Sequence, residues 1–467
     1  MRCITALLLL LPFLARAEEK KPNVLLIISD DMRAALGCQG NPLARTPNLD
    51  KLAASGVLFE KAYCQFPLCN PSRASMLTGR YPKTTGVLGN RDDFRKLHPD
   101  WSTLPQWFKD HGYISAKTGK IFHGGIEDDV SWSEDAMAGV KVDKRPRQTT
   151  WPLPGDDKLT KNEKSDRRII LEGNGDGHPE NTVADRAIGF LRAKHDKPFF
   201  LACGLVQPHS PPTAPRSFYD AYRTEDIPLP PDFAPRPTVP EGFPKAAIRP
   251  QNADLFAGRD ASEGEAREMI RAYHAGISWT DWNAGRVLDE LEQLGLAENT
   301  IVVFWSDHGY QLGEKGKWSK AGSLFEAGAR VPLIIRVPGG LANRKCQRVV
   351  ESIDLFPTLT ALCKLPASAG TEGRDLSSLL KEPGAQWDHP AFTIWSEDGK
   401  TATGTSIRTE KWRYAEYTAG GAMLLDPAAD PHEMKNLADD PAFAGVRAEL
   451  SAKIATFRGT KPERTSD

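Results

Sequence analysis

Residues 69–80 read Cys69-Asn70-Pro71-Ser72-Arg73-Ala74-Ser75-Met76-Leu77-Thr78-Gly79-Arg80. Pro71 suits the first turn of a helix, where its missing N–H is not needed. Leu-Thr-Gly-Arg closes the stretch one helical span later. The spacing therefore predicts a cysteine presented at a helix start. The positive end of the peptide dipoles and the Arg73 guanidinium would both favour an anion at position 69. A lone cysteine is more often a small buried hydrophobe. The combination of cysteine, proline, Ser-Arg and Leu-Thr-Gly-Arg points instead to a nucleophile.

Two apolar runs frame this helix. Asn23-Val24-Leu25-Leu26-Ile27-Ile28 ends in Ser29-Asp30-Asp31, and Thr300-Ile301-Val302-Val303-Phe304-Trp305 ends in Ser306-Asp307-His308-Gly309. Runs of this length and branching predict strands buried on both faces of a mostly parallel sheet. Ligand sites of such sheets collect beyond the carboxyl ends of the strands. An isolated Asp-Asp pair after a strand also serves as a turn or helix cap. Two strands with the same ending would instead gather three carboxylates and an imidazole on one edge. Three carboxylates in a cleft repel one another unless a cation lies between them. An oxygen-rich shell suits calcium or magnesium, and calcium tolerates the more irregular site.

Other polar groups follow strand-like runs. Lys120 and His123 lie in the glycine-flanked turn after Tyr113–Lys117, His209 follows Pro198–Gly204 in a proline-restricted loop, and Lys320 follows the second carboxylate strand. Taken alone, Lys120 is an ordinary solvated lysine and His123 a loop histidine.

Residues 69–80 resemble the signature of the type I sulfatases, in which the cysteine of Cys-x-Pro-Ser-Arg is oxidised to formylglycine. The ordered series Gly-Lys-x-Phe-His, x-Pro-His, Ser-Asp-His-Gly to Trp-x-Lys, and Val-Pro-Leu-Ile is similar to the iduronate-2-sulfatase branch, from about Pro22 to the C-terminal region. The resemblance implies an alkaline-phosphatase-like α/β/α sandwich with a large, mostly parallel mixed sheet. It adds a small C-terminal α+β subdomain with a short antiparallel sheet. It implies one divalent cation, calcium by preference, held by Asp30, Asp31, Asp307, His308 and the modified Cys69; histidine at the fourth ligand position is the pattern of that branch. Lys120, His123, His209 and Lys320 would contact the sulfate or the leaving oxygen, and Arg73 would steady the nucleophile. The expected reaction is hydrolysis of a sulfate monoester on a sulfated carbohydrate through a formylglycine hydrate nucleophile. The branch points to the 2-O-sulfate of a uronic acid in glycosaminoglycan or algal polysaccharide fragments. Two departures, Gln207 for a lysine and Lys315 for a histidine, bear on the sugar rather than the chemistry.

Two alternatives stand beside this reading. The same superfamily includes phosphodiester and phosphonate monoester hydrolases, and a silent carbohydrate-binding relative would leave Cys69 unoxidised. A complete set of candidate polar residues argues against the silent form.

The totals agree with a soluble exported enzyme. Sixty Lys and Arg against 61 Asp and Glu give a net charge of −1, so bulk charge does not suggest nucleic acid or membrane as a partner. Met1-Arg2, the apolar run Leu7–Leu14 and Ala15-Arg16-Ala17 read as a signal peptide over residues 1–17. No later run is long enough to span a bilayer. The expected organisation is residues 18–383 as the catalytic domain and 384–467 as the C-terminal subdomain, in a periplasmic or secreted, bacterial protein. Maturation would need a formylglycine-generating enzyme as partner. Loss of Cys3 with the signal and conversion of Cys69 would leave five cysteines, an odd set that speaks against a disulfide framework. Residues 126–181 and 211–250 read as long irregular segments shaping the pocket, with Trp132 and Trp151 as stacking surfaces for a sugar.

Overall fold

The computed structural model describes residues 20–140 and 158–459. The signal-peptide reading of residues 1–17 and Trp151 lie outside them. In chain order the strands of the body are β1 (Asn23–Asp30), β2 (Val57–Tyr63), β3 (Ile114–Gly119), β4 (Ile169–Leu171), β5 (Phe199–Pro208), β6 (Thr213–Pro215), β7 (Thr300–Ser306), β8 (Arg330–Val331), β9 (Leu333–Arg336) and β10 (Arg344–Glu351). Eight of them form one sheet in the order β10-β2-β9-β7-β1-β5-β3, with β8 paired to β2. β7, β1, β5 and β3 are parallel neighbours, as are β10 and β2; β9 runs against both its neighbours. The mostly parallel mixed sheet is therefore present. β4 and β6 form a separate parallel pair.

β1 and β7 are buried along their whole length, which is why their sequences run apolar without alternation. Val24, Leu26 and Ile28 face a layer containing Ala74, Met76 and Leu77 of the helix Cys69–Thr78, together with Phe108 and Leu359. Leu25 and Ile27 face the opposite layer, built on Phe190 of the helix Pro179–Arg192 and on Ile277, Ala284 and Leu288 of the helix Glu263–Gln293. Full burial of each such aliphatic side chain is worth about 1.5–3 kcal/mol. A charge on either face of β1 would forfeit that and bury an unpaired ion.

The apolar spacing of residues 272–294 predicts the long helix, but it begins at Glu263 instead of Ala272. The added turns come from a capping box. Ser262 Oγ accepts from Glu265 N at 3.3 Å, and Glu265 Oε2 accepts from Ser262 N at 3.0 Å.

The C-terminal region carries β11 (Ala391–Trp395), β12 (Gly404–Arg408), β13 (Arg413–Tyr417) and β14 (Ala422–Leu425) as an antiparallel sheet in that order, followed by the helix Ala444–Gly459. Leu450 and Ile454 of the helix pack on Ile407, Tyr414 and Leu424. The other face, with Ile394, Ala415 and Met423, packs on Phe66, Leu324 and Phe325 of the body. Glu326 joins the two parts, accepting from Arg408 Nε at 2.8 Å and Arg413 Nη2 at 2.7 Å. The six described cysteines are all free thiols, so no disulfide framework exists among the described residues.

Candidate active site

The carboxyl ends of β1, β5, β7 and β3 open on one edge of the sheet, and Cys69 is delivered to that edge as the first residue of its helix. All ten residues of this helix are buried. No side chain caps Leu68; the Asn70 N–H donates instead to Asn90 Oδ1 at 3.1 Å, and Asn70 Nδ2 donates to Gly89 O and Asp92 O. The helix stops at Gly79, whose φ of 65° is left-handed. A Cβ there would approach Thr371 and Phe356 to 3.0 and 3.1 Å. Arg80 then donates to Thr78 O and lies over Trp101 at 4.1 Å. The Leu-Thr-Gly-Arg tail is thus a helix stop that fixes the position of its start.

Cys69 Sγ lies 3.4 Å from Asp30 Oδ1, 3.9 Å from Asp31 Oδ1 and 3.3 Å from His308 Nε2. Asp30 ends β1. Asp31 adopts φ 63°, a left-handed conformation costly for a residue with a side chain. It is held there by contacts at both peptide groups: Asp31 N donates to Asp307 Oδ1 at 3.1 Å, and Tyr273 Oη donates to Asp31 O at 2.6 Å. Asp307 also accepts from His308 N at 3.0 Å. Asp30, Asp31, Asp307 and His308 are wholly buried.

Three cations surround these acids. Arg73 Nε donates to Asp307 Oδ2 at 2.9 Å and Nη1 to Lys120 O and Ile121 O, while Nη2 lies 3.6 Å from Asp30 and makes no hydrogen bond. Arg73 therefore serves first to hold the carboxylates. Lys120 Nζ is paired with Asp30, and Lys320 Nζ donates to Asp31 at 2.7 Å and lies 3.6 Å from Asp254. Lys120 is set in place by a close approach of two strands. Its N–H donates to Gly204 O at 2.9 Å, and a Cβ on Gly204 would sit 2.0 Å from Lys120 O.

Burial opposes the charge on Asp30, but Lys120 and Arg73 outweigh it and hold Asp30 well below the usual carboxylate range. Burial and the neighbouring Asp30 push Asp307 up to about 7, and burial raises Asp31 in spite of Lys320. Burial and Asp30 disfavour the Cys69 thiolate, yet Lys120 and Lys320 bring the thiol well below its ordinary range. This is an electropositive pocket suited to an anion at position 69.

His209 joins Asp30, Asp31 and Cys69 in one cluster whose ligand atoms lie within 4.8 Å of one another; Asp30, Cys69, Asp307 and His308 form the other. His209 Nδ1 is 2.7 Å from Ser210 O. Burial disfavours its charge, but Asp31 reverses the balance and raises it. His123 Nδ1 is buried and makes no hydrogen bond, which leaves it free to take a proton; the residue belongs to neither cluster. The two departures each have a partner within the protein. Gln207 is buried and accepts from Thr213 N at 3.0 Å, and Lys315 pairs with Asp232 at 2.7 Å. Trp132, expected as a stacking surface, is half-buried and packs edge-on against Phe122 beneath Lys117, where the chain tucks back onto the core layer.

The donor set fits a divalent cation. Three buried carboxylates and an imidazole converge on position 69, with two of the acids pushed up by burial. A cation among them would relieve that penalty.

Sequence reasoning did not find Tyr273, Asp254 or Glu180. Tyr273 lies mid-helix among ordinary core residues. Asp254 accepts from Ser319 Oγ at 2.7 Å from an irregular segment. Glu180 reads as the usual acid in a helix first turn, the only signal it carries.

The sulfatase family model matches residues 22–365, and the model for the C-terminal part of N-sulphoglucosamine sulphohydrolase matches residues 313–460. The chain is 33% identical to mouse (Mus musculus) iduronate 2-sulfatase over 92% of this chain and 93% of that protein. It is 32% identical to a sulfatase of Formosa agariphila over 95% of this chain and 88% of that one. Among solved structures, a protein in complex with its substrate D-glucosamine-2-N,6-O-disulfate superposes with a TM-score of 0.76 at 23% identity, over 96% of this chain and 100% of that chain. That likeness shows the alkaline-phosphatase-like fold. With the helix-borne Cys69 set against Asp30, Asp31, Asp307 and His308 on the sheet edge, and with these matches along nearly its whole length, the chain belongs to the sulfatase family of sulfuric ester hydrolases.

Proposed function

We propose that this protein hydrolyses the 2-O-sulfate of a uronic acid residue in fragments of a sulfated polysaccharide, after Cys69 is converted to formylglycine by a formylglycine-generating enzyme. The observation that carries the reading is the convergence of Cys69 Sγ on His308 Nε2 and Asp30 Oδ1 at 3.3 and 3.4 Å, ringed by Lys120, Lys320 and His209. The likeness to iduronate 2-sulfatase supports the choice of sugar and position. Residues 1–17 direct export, residues 18–383 form the catalytic unit and residues 384–467 the C-terminal subdomain; the mature enzyme works in the periplasm or outside the cell.

Asp30, Asp31, Asp307 and His308 would hold a divalent cation, calcium by preference, which neutralises their charge and favours ionisation of the nucleophile. Formylglycine supplies a hydrate oxygen that attacks sulfur and a second hydroxyl whose deprotonation releases sulfate. The chain's own residues do the rest. Arg73 fixes Asp307 and Lys120. Lys120 and Lys320 face the sulfuryl oxygens as charge spreads onto them. His209, protonated beside Asp31, gives its proton to the departing sugar oxygen, and His123 accepts the proton that leaves position 69.

The test is sulfate release by protein co-produced with a formylglycine-generating enzyme, from 2-O-, 6-O- and N-sulfated oligosaccharides, with Cys69→Ala as blank. Release from the 2-O-sulfated uronate is the expected result. Release from another sulfated sugar alone overturns the specificity. Faster turnover of a phosphate diester or phosphonate monoester overturns the reaction.

A further inference from the structure

β1 and β5 pair in register from Val24 with Phe200 to Ile28 with Gly204, and then Asp30 pairs with Pro208. Two steps along β1 are matched by four along β5, so β5 bulges just before His209. A bulge takes backbone groups out of the sheet ladder, and they need other partners. Here Glu180, 2% exposed at the start of the helix Pro179–Arg192, accepts from Val206 N at 2.9 Å through Oε2 and from Gln207 N at 3.1 Å through Oε1. The Gln207 carbonyl is taken by Ser29 Oγ at 2.8 Å, next to Asp30, and by Thr280 Oγ1 at 2.9 Å. His209 N then donates to Val206 O at 3.0 Å. The histidine is thus tied to the same peptide whose N–H Glu180 holds.

We propose that Glu180 is a positioning residue for His209: by clamping the Val206 and Gln207 N–H groups it holds the β5 bulge that sets the imidazole beside Asp31 and position 69. This rests on the reading of His209 as the proton donor. A carboxylate is the side chain that presents two acceptors and no donor to paired N–H groups. In Glu180→Gln one acceptor becomes an NH2 that faces an N–H, so one arm of the clamp is lost and the other kept. The helix retains a residue of the same size. Nothing in this touches substrate directly, so binding should change little while the geometry of proton transfer changes much.

Two measurements decide it. The first is a kinetic cycle of wild type, Glu180→Gln, His209→Ala and the double variant, all carrying formylglycine. The expected result is a fall in kcat of about tenfold or more for Glu180→Gln, KM within about twofold, and no further fall when it is added to His209→Ala. An equal loss in both backgrounds makes Glu180 a general structural support and overturns the proposal. The second is amide hydrogen exchange on the purified protein without substrate. Faster exchange at residues 206, 207 and 209 in Glu180→Gln, with the middle of β5 unchanged, is expected. Unchanged protection there overturns the clamp. Should wild type release no sulfate, the proposed function fails, and exchange at residue 209 still decides whether Glu180 fixes the histidine.

Discussion

Cys69 Sγ and His308 Nε2 stand 3.3 Å apart, one at the start of a helix and the other just past the end of β7. Residues 239 positions apart in the chain meet there because β7 lies beside β1 and the helix packs across the sheet. Position 69 is therefore built into the cluster of carboxylates and imidazole itself. Charge placed on position 69 is felt by every group that would hold the cation.

Chelation should silence the enzyme. Dialysis of the formylglycine form against a chelator is expected to lower sulfate release at least about a hundredfold, with calcium restoring it. Asp307→Asn should lose the same activity and not regain it with calcium. That variant also removes the negative charge paired with the buried Arg73 guanidinium, so a lower melting temperature than wild type is expected. Full activity of the chelated protein would rule out a cation role for the cluster.

The two lysines at the site should behave alike, and Lys315 differently. Lys120→Met and Lys320→Met are each expected to lower kcat/KM by about 10²–10³-fold, measured by steady-state sulfate release. Lys315→Ala breaks a buried pair with Asp232 and a bond to His432 O. It should lower the melting temperature while leaving kcat within about threefold, since its bonds go to Asp232 and His432 and not to the acids around Cys69.

Gly204→Ala should damage the site through the backbone. Its Cβ would sit 2.0 Å from the carbonyl of Lys120, a contact that no side-chain rotation relieves. A loss of several kcal/mol of stability, roughly the upper range for point changes, is expected in chemical denaturation, together with lower activity from a displaced Lys120.

Asp281 gives a pH test away from the chemistry. Burial pushes it up to about 6, although it accepts from Leu49 N at 2.7 Å and from Asn48. Between about pH 4 and about pH 6 the folded protein holds a proton there that the unfolded chain has lost. Its contribution to stability therefore falls as pH rises through that window and is level above it. Asp281→Asn should remove up to about 3 kcal/mol of that pH dependence, read as the difference between the two proteins' denaturation curves.

Much of the site was legible because its parts are local. The uninterrupted apolar runs of β1 and β7, each ending in Ser-Asp, are enough to place Asp30, Asp31, Asp307 and His308 on one edge. Cys69 at a helix start was equally plain from Pro71 and the Gly79 stop. What stayed hidden depends on tertiary approach. The β5 bulge follows from pairing with β1, so Glu180 looked like any acid of a first helical turn. The partners of Gln207 and Lys315, Thr213 N and Asp232, also come from tertiary approach and carry no local signal. The edge-on packing of Trp132 against Phe122 is likewise a tertiary contact without a local signal. The extra turns of the long helix came from the Ser262–Glu265 capping box, which the apolar spacing does not report.

The most direct measurement follows conversion of Cys69 and turnover in the same samples. Wild-type protein produced with graded amounts of a formylglycine-generating enzyme would be assayed for the mass of the peptide bearing residue 69 and for sulfate release. The account predicts activity in proportion to the converted fraction, with Cys69→Ser inactive at every level of the partner enzyme. Wild-type turnover by Cys69→Ser, or by protein whose residue 69 remains an unmodified cysteine, would contradict it.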